Sequence, residues 1–211
     1  SSREGFAWLA FGPCHAEQLE SGRLIFPMNH SYRPRGDEGE SPYYSNTLYS
    51  DDGGESWQLG RDIGENTNEC SLARLPDGRL YMNMRSYHGK GLRAVSYSCD
   101  DGESFSYPKL DTQLQDPVCQ GSCLYFKGQK EAFLFSNASD SHERRRLTLH
   151  ASLDLGNSWP KALLLYPGAC AYSDLAQISD TKIACLFECG DNGDAYDEIR
   201  LALIDIDEIL S

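Results

Sequence analysis

A short motif, Ser-x-Asp-x-Gly-x-Ser followed by an aromatic residue, occurs three times in this chain and constrains its fold more than any other feature. The copies begin at Ser50, Ser98 and Ser152, about 50 residues apart. Aspartate accepts hydrogen bonds from backbone amides in tight turns, glycine adopts positive φ, and the aromatic ring can pack beneath the turn. Each copy follows a strand-like run: YYSNTLYS, LRAVSYS or LTLHAS. The motif therefore predicts a β-hairpin repeated at constant spacing.

A second pattern interleaves with the first and defines repeat units. GRLIF from Gly22 matches GRLYM from Gly78, with weaker matches from Glu131 and Thr181. Each unit also opens with a cysteine-containing segment. We expect four units of roughly 50 residues, at about 12–67, 68–116, 117–167 and 168–211, within one partial domain spanning 1–211.

A period near 50 residues with several short strands per unit is typical of β-propeller blades. We therefore predict an all-β fold, a β-propeller represented here by about four blades. A β-sandwich is the alternative fold, but it would not explain the fixed period. The chain opens in mid-pattern, so we expect further blades upstream rather than a complete four-bladed propeller.

The charge and hydropathy of the chain restrict its partners. The formal net charge of −13 argues against non-specific nucleic-acid binding, which needs a basic surface. No run of about 18 apolar residues occurs, so we expect no membrane span. The N-terminal SSREGFAWLAFGP lacks a basic region followed by an apolar core, so we expect no signal peptide there. Cytoplasmic, lysosomal and secreted locations all stay open.

The eight cysteines do not form a zinc-binding pattern. There is no CxxC pair, and the two pairs spaced four apart, Cys119 with Cys123 and Cys185 with Cys189, have no histidines at zinc spacing. We expect reduced, mostly buried thiols and no metal site.

Three further segments carry a family resemblance. They are TNECSLARLPDGRLYMNMRS from Thr67, ERRRLTLHASLD from Glu143 and CAYSDL from Cys170. Together with the three Asp-containing turns, known as Asp boxes, they resemble the exo-α-sialidases (neuraminidases) of glycoside hydrolase family 33. The resemblance covers essentially the whole chain and matches the C-terminal part of that family's six-bladed propeller. Asp boxes alone occur in unrelated proteins, so the ordered set of the other segments is the more specific signal.

The resemblance implies roles for five residues. Tyr172 matches the family's catalytic nucleophile, and Glu69 matches the glutamate that activates it. Arg85 and Arg144 match two arginines of the triad that binds the substrate carboxylate, although two further arginines follow Arg144 directly. Glu188 matches a supporting position, where it would orient an arginine.

The chemistry is consistent with these residue types. Sialic acid carries a carboxylate on its anomeric carbon. This charge would repel an attacking carboxylate but not a neutral phenol. A nearby glutamate can accept the proton of the phenol. Sialidases are the accepted tyrosine exception among glycosidases. Arginines bind the carboxylate in bidentate fashion and stabilise the transition state. The resemblance implies sialylated glycoproteins, gangliosides or oligosaccharides as substrates, hydrolysis with retention, and no cofactor.

Two family features are absent from the sequence. The first triad arginine lies in a Phe-Arg-Ile-Pro motif, and the acid/base aspartate follows it; neither motif occurs in these 211 residues. We therefore expect the chain alone to have little or no sialidase activity. Three alternatives stay open: a catalytically incomplete, lectin-like propeller that binds sialic acid, a structural propeller that reuses Asp boxes, and a trans-sialidase.

Other prominent residues have simpler interpretations. Trp57 and Trp159 are expected to anchor Asp boxes rather than stack on sugars. Tyr87 and His88 either line the substrate site or belong to a loop. The acidic segment RGDEGES from Arg35 is expected to be a solvated loop.

Overall fold

The computed structural model describes residues 6–32 and 42–211, so the predicted loop RGDEGES lies outside the described residues. The described part contains sixteen strands and one short helix, which confirms the prediction of an all-β fold. The strands are β1 Trp8–Phe11, β2 Glu17–Gln18, β3 Leu24–Ser31, β4 Tyr43–Ser50, β5 Gln58–Leu59, β6 Ile63–Glu65, β7 Thr67–Arg74, β8 Leu80–Ser86, β9 Leu92–Ser98, β10 Lys109–Gln115, β11 Gly121–Lys127, β12 Glu131–Ala138, β13 Arg145–Ser152, β14 Lys161–Gln177, β15 Lys182–Gly190 and β16 Glu198–Asp205, and the helix α1 is Ile206–Leu210. None of the described helices is long and apolar enough to cross a membrane.

The chain divides into two compact units. The first comprises the described residues of 1–88 together with 94–110, and the second comprises 89–93 and 111–211. One sheet of the first unit has the order β1-β3-β4-β5, with β2 also paired to β3 and β6 to β4. A four-stranded sheet follows in the order β10-β9-β8-β7, and the boundary between the units passes through β9 and β10.

Apolar side chains from alternate strand positions form the core of the first unit. Ile25, Leu72, Leu80 and Met82 are fully buried in it. Burial of such side chains is the main favourable term in folding, worth roughly 1.5–3 kcal/mol each. On β8 the intervening residues Tyr81 and Asn83 are buried as well, so both faces of this strand are covered.

Buried polar side chains in the first unit satisfy backbone groups of neighbouring segments. The Thr47 hydroxyl donates to the Gly102 carbonyl at 2.7 Å, and the Ser45 hydroxyl donates to the Asn68 carbonyl at 2.6 Å. A buried carbonyl without a hydrogen-bond partner would lower the free energy of unfolding by about 1–3 kcal/mol. These two hydrogen bonds therefore favour the observed packing of β4 against the segments that contain Asn68 and Gly102.

The second unit is built on one antiparallel sheet with the order β11-β12-β13-β14-β15-β16. Strand β14 is 17 residues long: it pairs with β13 from Lys161 to Ala169, with register shifts near Tyr166, and with β15 from Ala169 to Gln177. The predicted boundary between repeat units at 167/168 therefore falls inside a continuous strand. The number of blades and the boundaries of the repeat units stay predictions.

The three Asp boxes have one common hydrogen-bond pattern. In the third, the Asp154 carboxylate accepts from the Ser152 hydroxyl at 2.7 Å and from the Ser158 backbone and hydroxyl at 2.8 and 2.6 Å, while the Gly156 amide donates to Ser152. The first and second boxes repeat these contacts from Asp52 and Asp100. Each turn is therefore closed by its own side chains.

In the first and third Asp boxes, the tryptophan that follows the motif packs as the predicted anchor. Trp159 is buried, contacts Phe133 with ring centroids 5.4 Å apart, and donates its indole N–H to Asp111. Trp57 packs edge-on against Phe26 and donates to the Gly54 carbonyl of its own turn. Both rings are committed to packing rather than to ligand binding.

Candidate active site

Glu69 lies in a β-bulge of the first unit. Thr67 pairs with Ser86 and Cys70 pairs with Met84, so two residues of β7, Asn68 and Glu69, face the single residue Arg85 of β8. A bulge of this kind breaks the alternation of side chains and redirects the extra residue. The Glu69 amide hydrogen-bonds to the Asn68 side chain at 2.6 Å, which fixes the local backbone.

The two ionisable side chains at this bulge form an ion pair. The Arg85 Nη1 donates to the Glu69 Oε2 at 2.8 Å, with 15% and 17% of the two side chains exposed. The Arg85 guanidinium also lies over the Tyr87 ring at 5.1 Å, and Tyr87 stacks on Tyr43. The structure therefore brings together Glu69 and Arg85, two of the residues predicted from sequence, and holds the arginine against an aromatic face.

Tyr172 lies in an equivalent bulge of the second unit. Cys170 pairs with Cys189 and Ser173 pairs with Phe187, so two residues of β14, Ala171 and Tyr172, face Glu188 of β15. Glu188 Oε2 accepts a hydrogen bond from the Tyr172 backbone N–H at 3.1 Å. As at the first bulge, the candidate residue is the second of two residues that lie opposite one ionisable residue of the next strand.

The backbone on both sides of Tyr172 is fixed by neighbouring side chains. Gln120 accepts from the Ser173 amide at 2.9 Å and donates to the Ser173 carbonyl at 2.8 Å. On the other side, buried Ala171 packs with Cys119 and Ala195, and the partly buried Tyr172 packs against this cluster. The backbone on both sides of Tyr172 is thus held by hydrogen bonds or by packing.

Arg144 differs from the arginines that follow it. It is partly buried, whereas Arg145 and Arg146 are exposed. Arg145 pairs with the carboxylates of Asp140 at 2.8 Å and Glu143 at 3.2 Å. Among the described residues, the hydrogen bonds of the Arg144 guanidinium go to neutral groups, so no carboxylate there offsets its charge.

The backbone of Arg144 is hydrogen-bonded to the strand that carries Tyr172. Its carbonyl accepts from the Cys170 amide at 2.9 Å, two residues before Tyr172. A pocket of about 810 Å³ opens at this point, lined by Glu143, Arg144, Arg145, Pro167, Gly168, Ala169, Gly193, Asp194, Ala195 and Tyr196. The cationic side chain therefore faces a space large enough for a small polar ligand.

The sequence does not reveal every contact near this site. The role of Glu188 in orienting an arginine stays a prediction, and its contact with the Tyr172 backbone is not evident from the sequence. The contacts of Gln120 and Tyr196 are not evident either, although Tyr196 is an aromatic residue in the acidic turn GDNGDAYDE. Within 6–32 and 42–211, no three or more His, Cys, Asp or Glu side chains are clustered so as to hold a metal ion.

No disulfide bond joins any of the eight cysteines, and six of them are buried. Burial raises the pKa of the Cys170 and Cys185 thiols to about 12. The thiolate form is therefore suppressed, and these cysteines contribute to packing, as predicted.

Comparison with known proteins gives a family match over most of the chain. Residues 3–185 match the model described as BNR repeat-like domain. A sialidase from Micromonospora viridifaciens is 32% identical over 163 residues, which cover 74% of this chain and 25% of that protein. Sialidase-2 of Rattus norvegicus is 30% identical over 94% of this chain and 56% of its own length.

A solved structure is similar over nearly the whole chain. The Hadza microbial sialidase Hz136 superposes with a TM-score of 0.84 at 28% identity, covering 97% of this chain and 39% of that one. The chain thus spans only about a quarter to just over half of the length of these relatives.

Proposed function

Because this chain belongs to the BNR repeat-like family and its curated relatives are sialidases, we propose that the protein is an exo-α-sialidase. It would hydrolyse terminal sialic acids of glycoproteins, gangliosides or oligosaccharides with retention at the anomeric carbon. The lectin-like alternative is not favoured, since the relatives carry the names of enzymes.

Each candidate residue has a defined role in this proposal. Tyr172 attacks the anomeric carbon as its phenol proton passes to Glu69. The bond to the leaving oxygen breaks, and this oxygen takes a proton from an acid/base group for which no motif occurs in these 211 residues. Water then hydrolyses the tyrosyl intermediate. Arg85 and Arg144 bind the substrate carboxylate and offset charge in the transition state.

The observation that carries the proposal is the pair of matched bulges. Both Glu69 and Tyr172 are the second of two residues that lie opposite one residue of the next strand, and that residue is ionisable in each case. Bulges are over-represented next to active sites because they redirect a side chain out of the regular alternation. The two bulges thus take both motif residues out of the regular alternation of their strands.

A fluorogenic sialoside assay of the full-length protein that contains this sequence tests the proposal. We expect turnover by the unaltered protein and a loss of kcat of about 10³-fold or more in Tyr172→Phe, which removes only the nucleophilic hydroxyl. Glu69→Gln should lower kcat by about 10²-fold, because the amide cannot accept the phenol proton.

A matched control is Tyr125→Phe, which removes a tyrosine hydroxyl that hydrogen-bonds to Glu131 at 2.8 Å in the same unit. Its activity should equal that of the unaltered protein. Binding of sialosides without turnover would contradict the proposal and favour the lectin-like alternative. Full activity of Tyr172→Phe would exclude Tyr172 as nucleophile.

A further inference from the structure

The Arg144 guanidinium is held by two neutral oxygen atoms. Its Nη1 donates to the Tyr196 hydroxyl and its Nη2 donates to the Val118 carbonyl at 3.0 Å. Two contacts from different segments restrict the rotamer of a long side chain that would otherwise have several conformations. The direction of this guanidinium is therefore set by residues 118 and 196.

The carbonyl of Val118 is presented by an unusual backbone conformation. Val118 has φ = 59°, a left-handed value that is strained for a β-branched residue. The turn is held by Asp116, whose carboxylate accepts from the Cys119 amide at 2.9 Å and pairs with the buried Arg93. A strained residue persists where the surroundings impose it, and here the result is a carbonyl directed at Arg144.

Tyr196 is fixed at its backbone while its ring stays 60% exposed. Its amide donates to the Asp194 side chain at 3.0 Å, and the preceding Ala195 is buried in the cluster that Tyr172 contacts. Tyr196 thus directly follows a residue of the cluster that Tyr172 packs against, and Tyr196 and Arg144 both line the pocket.

We infer that Tyr196 is a positioning residue for Arg144 in substrate binding, an inference that rests on the proposed sialidase function. A tyrosine hydroxyl is uncharged at neutral pH, so it orients the guanidinium without cancelling its charge. The contrast is Arg145, which is neutralised by two carboxylates. Tyr196 therefore orients Arg144 without placing a carboxylate against it, which leaves the guanidinium for the substrate carboxylate.

Steady-state kinetics of Tyr196→Phe in the full-length protein test this inference. Loss of the hydroxyl should raise KM for a fluorogenic sialoside about tenfold, because the oriented charge is lost from substrate binding. We expect kcat to change less than about twofold, since Arg144 contacts the substrate carboxylate in the ground state as well as in the transition state and the hydroxyl does not act on the reacting bond. The thermal midpoint should be unchanged, and Tyr125→Phe serves as control.

A double-mutant cycle separates this role from a general effect on the loop. In an Arg144→Lys background the guanidinium is gone, so adding Tyr196→Phe should change KM less than about twofold. An unchanged KM in the single variant, or an equal effect in both backgrounds, would overturn the inference while leaving the sialidase function intact. Absence of turnover in the unaltered protein would overturn the proposed function, and this inference with it.

Discussion

Burial alone changes the acid–base behaviour of His150, a residue of β13. The ring stacks on Phe135, and its Nε2 has no hydrogen-bond partner among the described residues. Desolvation lowers the pKa of His150 from 6.5 to about 4. An uncharged imidazole in the core is therefore part of the folded state at neutral pH.

This histidine predicts acid sensitivity. Between pH 6.5 and 4 the unfolded chain binds a proton at His150 that the folded chain does not, so the free energy of unfolding falls as pH falls, by up to about 1.4 kcal/mol per pH unit. His150→Phe, which keeps a flat ring, should weaken this dependence in urea titrations from pH 7 to 4. The exposed His142→Gln should retain it; identical slopes for all three proteins would refute the assignment.

Glu188 offers a second test at the residue scale, because its carboxylate accepts from the backbone of Tyr172. Glu188→Ala should lower kcat about tenfold by loosening the bulge. Glu188→Gln keeps an acceptor oxygen and should recover most of the activity. If alanine and glutamine variants were equally impaired, the negative charge rather than the hydrogen bond would be required.

At the scale of elements, each Asp box closes its turn with its own side chains, and the backbone of the second box also packs closely against the core. Gly102 of the second box has φ = 86°, and a Cβ at this position would lie 2.2 Å from the buried Ile25 side chain. Gly53 of the first box has φ = 74° with open space around it. The two glycines share a backbone conformation but differ in their surroundings.

Alanine substitution at each position should separate strain from packing. Gly53→Ala should lower the free energy of unfolding by about 1 kcal/mol, the cost of a left-handed alanine. Gly102→Ala should lower it by roughly 1–3 kcal/mol more, because Ile25 must move within a close-packed core. Chemical denaturation measures both; equal losses would show that Ile25 adapts without cost.

At the scale of the whole molecule, this sequence corresponds to part of its relatives. It spans 25% of the bacterial sialidase and 56% of the rat enzyme, and no Phe-Arg-Ile-Pro motif occurs in it. The proposed site would need a third arginine and an acid/base group besides Tyr172, Glu69, Arg85 and Arg144. Activity is accordingly a property that we assign to the full-length protein.

The 211-residue chain produced alone should therefore hydrolyse a fluorogenic sialoside at least about 10²-fold more slowly than the full-length protein, because the motifs of the family's first triad arginine and acid/base aspartate do not occur in it. Circular dichroism should show β-sheet content in the same preparation, so that lack of folding is excluded as the cause. Comparable rates in the two forms would contradict the prediction.

Hydrogen bonds between residues that are only a few positions apart were predictable from the sequence. The Asp-box hydrogen bonds join positions two and four apart, so residue type and spacing alone specify them, and the strand-like runs before each box followed from the same local pattern. The candidate residues Tyr172, Glu69, Arg85 and Arg144 came from the family resemblance, and the structure shows how two of them, Glu69 and Arg85, meet.

Only the tertiary structure decided the strand pairing and what each side chain contacts. The bulges depend on which residue of the next strand lies opposite, and a shift of one residue would turn Tyr172 to the other face of the sheet. The hydrogen bond from Arg144 to Tyr196 joins residues that are 52 positions apart in the sequence. The periodicity of the sequence does not indicate which residues at that separation are in contact. Local hydrogen bonding is encoded in sequence spacing, whereas long-range register emerges from packing of the whole sheet.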